Sequence, residues 1–66
     1  VAVRISRPGA DLVDASLESA DLTGADLTGA NLTGAILHDA DLTRTNLTRA
    51  NLTLAVLDSA RLDGAK

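Results

Sequence analysis

Leucine stands at 12, 17, 22, 27, 32, 37, 42, 47, 52, 57 and 62, one every five residues without a gap. Alanine precedes each by two positions, at 10, 15, 20, 25, 30, 35, 40, 50, 55 and 60, and Thr45 fills the remaining slot. Few regular structures accept such a period. An α-helix advances about 100° per residue, so side chains five apart circle it and leave no apolar stripe. A straight strand alternates faces, so an odd spacing throws successive Leu side chains to opposite sides. Neither a collagen triplet nor a heptad is present. The chain must therefore bend once per repeat. If each unit is a short extended side followed by a corner, every Leu points to one axis, and the Ala two residues earlier shares its face. The repeat is then one side of a polygonal solenoid.

A weaker period sets the number of sides. Ile36 and Val56 are the only apolar residues directly before a Leu, and they lie twenty apart, as do Asp11, Asn31 and Asn51. Twenty residues per turn means four sides.

The units "ADLTG", "ADLTG", "ANLTG", "ADLTR" and "ANLTL" resemble the pentapeptide repeat family, whose pattern is A(D/N)LXX, and the match runs over residues 10–66. The resemblance implies an all-β fold, a right-handed quadrilateral β-helix with four repeats per coil. The central Leu and the small residue two before it would turn inward. Eleven units make about 2.75 coils. The expected core is four columns: Leu12, Leu32 and Leu52; Leu17, Leu37 and Leu57; Leu22, Leu42 and Leu62; Leu27 and Leu47. The sequence departs from the pattern at Thr45, which replaces an inward Ala, and at Ser16, Ile36, Val56 and Arg61, which replace Asp or Asn. The Thr45 hydroxyl is expected to bond a nearby carbonyl, because an unpaired buried hydroxyl costs about 1–3 kcal/mol. Gly24, Gly29, Gly34 and Gly64 occupy the corner slot, but so do Asp14, Ser19, Asp39, Arg44, Arg49, Leu54 and Ser59. A slot open to Arg and Leu is expected not to demand positive φ, so Gly there reads as favoured rather than required.

Residues 1–9, "VAVRISRPG", lie outside the repeat and read as an N-terminal capping segment before the β-helix of 10–66. Val1, Val3 and Ile5 alternate with Ala2 and Arg4 as in a half-buried strand, and Pro8-Gly9 marks a turn. The segment would lie over the floor of the first coil or add a partial preceding coil, and either would blunt a β edge. No such cap follows the last repeat. Leu52, Leu57 and Leu62 would show at that end with unpaired backbone, and solenoid ends need covering. A protein partner, self-association through this end, or a larger parent chain is the expectation.

Composition closes off other functions. Without Cys there is no disulfide or thiolate site, and a single His rules out a multi-His zinc site. Without aromatics there is no base-stacking platform, and a net charge of −3 argues against nucleic acid and membrane surfaces. No apolar run approaches the roughly 20 residues that span a bilayer, and no stretch looks like a signal peptide, so a cytoplasmic location is expected. No nucleophile–base pair, phosphate loop or cavity is readable in a Leu-filled core. We therefore expect no enzyme activity, no cofactor or metal and no small-molecule substrate.

On the outer surface, the first coil, residues 11–30, carries Asp11, Asp14, Glu18, Asp21 and Asp26 and no base. It would face a basic partner or simply be solvated. Glu18, His38 and Asp58 should stack in one column, better suited to a surface ladder than to a metal shell. Asp21 should lie under Asp41, with Arg61 above offsetting the repulsion. Arg44 and Arg49 sit on neighbouring corners, where nothing else favours an anion. Ile36, Leu54 and Val56 gather exposed aliphatic surface, a candidate protein contact beside the end formed by Leu52, Leu57 and Leu62. The expected function is a non-catalytic structural or protein-interaction module, a rigid β-helical rod within a larger protein or an oligomer. The resemblance also brings an alternative, a DNA-mimicking regulator of DNA gyrase of the fluoroquinolone-resistance type. Against it stand a length of about 13 Å at the β spacing, acid left unbalanced by base in one coil alone, and the missing Phe-rich centres and dimerising tail.

Overall fold

The computed structural model describes residues 5–66. Val1 to Arg4, and with them most of the expected capping strand, lie outside the described residues. Each unit contributes a single bridging residue, paired in parallel with the coil below, the coil above or both. Asp11 pairs with Asn31 and Asn31 with Asn51; Ser16 pairs with Ile36 and Ile36 with Val56; Asp21 pairs with Asp41 and Asp41 with Arg61; Asp26 pairs with Asn46. Every pair is twenty residues apart, so the coil has four sides, and the fold is the right-handed quadrilateral β-helix.

The unit 31–35 shows why the period is five. The Asn31 N–H donates down to the Ala10 carbonyl at 2.9 Å, and the Leu32 N–H donates up to the Asn51 carbonyl at 2.7 Å. The Gly34 N–H donates up to Thr53 at 2.8 Å, and the Ala35 N–H closes a turn onto Leu32 at 2.9 Å. The Thr33 N–H is taken by the Asn31 side chain, at 3.1 Å to Oδ1. Every N–H of the unit is thus satisfied, which a buried or stacked backbone requires.

The corners overturn the sequence expectation. Positive φ occurs at every one of them: from 57° to 60° at Asp14, Ser19, Asp39, Arg44, Arg49, Leu54 and Ser59, and from 68° to 70° at Gly24, Gly29, Gly34 and Gly64. Since φ is positive only at the third residue of each turn, these are type II turns. A left-handed non-Gly residue costs roughly 1–2 kcal/mol. The turn bond inside the unit and the bonds to neighbouring coils, from both sides at Arg44 and from below at Leu54, fix the corner, so Arg and Leu are held where Gly would sit without strain.

Burial is graded along the axis. Leu17, Leu22, Leu27, Leu32, Leu37 and Leu42 are buried with Ala10, Ala20, Ala25, Ala30, Ala35 and Ala40, and Leu12, Leu47, Leu52 and Leu57 pack partly buried against them. Leu62 departs from its expected core role: it is 46% exposed, since no coil of these 66 residues lies over it. Thr45 is fully buried, and its Oγ1 donates to the Leu22 carbonyl at 2.7 Å. The expected rod is also corrected. The molecule measures 21 × 20 × 17 Å, a squat block, because fewer than three coils stack to no more than their own width.

Before the first repeat, the Arg7–Ala10 turn copies a corner. The Ala10 N–H donates to the Arg7 carbonyl at 3.1 Å, and the Gly9 N–H donates up to Thr28 at 2.7 Å. Pro8 and Gly9 (φ 73°) take the positions a type II turn favours for them. Ser6 Oγ receives the Asp26 N–H at 2.9 Å, and Ile5 packs against the core. Residues 5–9 therefore form one side of a partial coil beneath 25–29.

Candidate interaction surfaces

The outward side chains have a structural duty before they have any other. Asp or Asn directly before Leu accepts the N–H of the residue directly after it: Asp21 from Thr23 and Asp26 from Thr28 at 3.1 Å, Asp41 from Thr43, Asn46 from Thr48 and Asn51 from Thr53 at 3.0 Å. Asp11 does the same for Val13 at 3.3 Å. Where Thr follows, its hydroxyl often donates to the same oxygen, as Thr28 does to Asp26 and Thr48 to Asn46, each at 2.6 Å. These are Asx turns, in which a short acceptor reaches the backbone two residues on. In the sequence these residues stand out only as outward polar groups. The spacing of two between Asx and Thr was the signal that could have exposed the cap.

The caps tune the carboxylates. The Thr28 hydroxyl and N–H hold Asp26 below the usual carboxylate range. Asp41 is lowered in the same way by Thr43, then by the Arg61 charge and the Thr23 hydroxyl. Arg61 is raised by its bond to Asp63 and by the Asp41 charge, and its Nη2 lies 3.1 Å from Asp63 Oδ2. The column Asp21–Asp41–Arg61 thus forms as the sequence suggests, with the Arg61 charge set directly against Asp41.

Backbone bonds bring Glu18, His38 and Asp58 into register, since Ser19 donates to His38 and Asp39 to Asp58. The Glu18 and His38 side chains find other hydrogen-bond and ion-pair partners. Glu18 accepts from the Ser16 hydroxyl at 2.5 Å, which lowers it first, followed by its own N–H and the His38 charge. His38 Nε2 lies 3.2 Å from Asp39 Oδ2, with both side chains half exposed. Among the described residues no three His, Asp or Glu side chains are grouped to hold a metal ion. Arg44 and Arg49 are exposed on their corners, and the Arg44 stem lies alongside Gly64.

Two surfaces stand out. One is the side carrying Ile36 and Val56, each 39% exposed and bridged to one another, with Leu54 on the adjoining corner at 82%. The other is the upper surface of the last coil, with Leu52 and Leu57 half-buried and Leu62 exposed. There the N–H groups of Leu52, Leu54, Leu57, Ser59 and Leu62 occupy positions whose counterparts one coil below all donate upward. Among the described residues these five have no partner.

The chain matches the pentapeptide repeats family over residues 10–49 and 35–66. It belongs to that family, whose β-helices are typically non-catalytic. Among solved structures it is similar to HetL, a pentapeptide repeat protein involved in heterocyst differentiation regulation from the cyanobacterium Nostoc. That match has 41% identity and a TM-score of 0.88, covering 91% of this chain and 29% of HetL. It is also similar to the pentapeptide repeat protein Rfr23 from the cyanobacterium Cyanothece, with 41% identity and a TM-score of 0.81, covering 83% of this chain and 38% of Rfr23. The chain therefore spans less than half the length of either. No curated protein matches it by sequence. Among the described residues no helix is long and apolar enough to cross a membrane.

Proposed function

We propose that this chain is a non-catalytic protein-interaction module, a rigid β-helical block that associates through the upper surface of its last coil. The observation that supports this reading is the row of unpartnered N–H groups beside Leu52, Leu57 and Leu62, matched in spacing to another coil. Such a coil would come from a second copy or from polypeptide continuous with this chain, and it would extend the ladder while burying Leu62. Catalysis has no support: the inward positions are Leu, Ala and Thr45, and the carboxylates lie on the outside. The DNA-mimic alternative gains nothing from the shape, since a block 21 Å long falls short of one duplex turn of roughly 34–36 Å. HetL's regulatory role makes a binding role for this chain reasonable without naming its partner.

Light scattering tests the association. The 66-residue chain should run heavier than a monomer, and Leu62→Glu should return it to monomer while its circular dichroism is kept. A native chain that stays monomeric while fully folded overturns the end-on reading.

A further inference from the structure

Read by side rather than by coil, the outer surface is far from uniform. The second side, corners included, comprises residues 14–19, 34–39 and 54–59. It carries Asp14, Glu18, Asp39 and Asp58 and no Lys or Arg, although five of the six basic residues are among the described residues. Four carboxylates on one side exceed the net charge of −3 of the whole chain. Arg44 and Arg61 belong to the third side, and Arg49 and Lys66 to the fourth.

On this side alone the repeat gives up its own stabilising chemistry in every coil. Ser16, Ile36 and Val56 stand where Asp or Asn caps the backbone in most other units, so among the described residues the N–H groups of His38 and Asp58 have no acceptor. Leu54 adds a second departure. It is the most exposed large hydrophobic residue described, and it holds a left-handed φ of 60°. Stability favours Gly or a small polar residue at such a corner, so Leu54 is unexplained by the fold.

We propose that this side docks a cationic polypeptide segment, one with aliphatic side chains flanked by Lys or Arg. Ile36, Val56 and Leu54 supply the apolar contact. Asp14, Glu18, Asp39 and Asp58 ring it with charge of one sign, and the His38 and Asp58 N–H groups are free to donate to a partner carbonyl. The same charge disfavours a second copy on this side, because facing copies would bring carboxylates together. The inference deepens the proposed function by naming the partner's chemistry and rests on its reading as an interaction module. It uses a different surface from the coil end, so either can fail while the other holds.

The test titrates the isotope-labelled chain with a synthetic peptide of alternating Lys and Leu, beside an all-Lys peptide of equal charge and a Glu–Leu peptide. Only the Lys–Leu peptide should bind saturably, shifting the His38 and Asp58 amides and weakening as salt screens the charges. The variant Ile36→Asn, Val56→Asn, Leu54→Gly restores two caps and relieves a strained corner, so its fold should hold by circular dichroism. It should bind the peptide at least about tenfold more weakly. Equal binding by the variant, equal binding of the all-Lys peptide, shifts confined to another side, or no saturable binding would each overturn the proposal.

Discussion

Asp14 Oδ1 fills the space into which a Cβ on Gly34, one coil above, would project. Gly34 is therefore constrained by its φ of 70°, and a Cβ there would also make the end of the exposed Asp14 side chain swing aside. Gly24 and Gly29 share the backbone conformation, but a Cβ there meets nothing within 4 Å. Gly24→Ala should cost about 1–2 kcal/mol from φ alone, and Gly34→Ala should cost more. Urea unfolding of both, with Asp14→Ala added to each, checks this. The Asp14 change should recover part of the loss at Gly34 and none at Gly24.

The core is deepest at its middle coil. Leu37→Ala should cost about 2–5 kcal/mol, enough to unfold a chain of this size at room temperature. Leu62→Ala, at a position exposed in the single chain, should cost a small fraction of that in solutions dilute enough to keep the chain monomeric. Thermal melts of the two variants side by side give the contrast.

Thr45→Val keeps the buried shape but removes the bond to the Leu22 carbonyl. That carbonyl still accepts the Ala25 N–H at 3.0 Å, so it is not orphaned. The expected loss is about 1 kcal/mol, measured as a lower urea midpoint at unchanged slope.

Asn31→Ala removes the acceptor for the Thr33 N–H, while Asn31→Asp keeps it. The alanine variant should lose about 1 kcal/mol and the aspartate variant little at neutral pH. Faster hydrogen exchange at the Thr33 amide in the alanine variant alone would confirm that the side chain is the cap.

Asp26 and Asp41 are held below their ordinary value of 3.8, and Glu18 below 4.5. The unfolded chain then binds protons first. The stability from these groups is complete above the ordinary carboxylate range and is lost as pH falls through their lower folded values. The melting temperature should drop as the solution is acidified below about pH 4. Asp26→Asn with Asp41→Asn keeps both acceptors and removes two titrating groups, so it should flatten that acid limb.

The inward columns were legible because one residue type recurs at one interval, and only a four-sided turn puts residues twenty apart in register. The corners were not. Arg44 and Leu54 look incompatible with positive φ when each is judged by its own preference, and nothing local reveals that the turn bond and the ladder to the coil below outweigh it. The caps were half legible: Asp21 and Thr23 stand at the right spacing, but an outward Asp beside an outward Thr is equally what a solvated surface carries. The charge on the second side was hidden by grouping residues along the chain. That grouping puts Asp14 and Glu18 in one coil and Asp39 and Asp58 in two others, although the fold sets all four on one side.

The left-handed corners have a consequence for how such a surface changes over generations. Because coil stacking imposes the bend whatever the residue, exchanging Ser for Arg or Leu there alters what a neighbour meets and leaves the backbone path alone. Binding preference can therefore drift one vertical file at a time, against a framework that records none of the change.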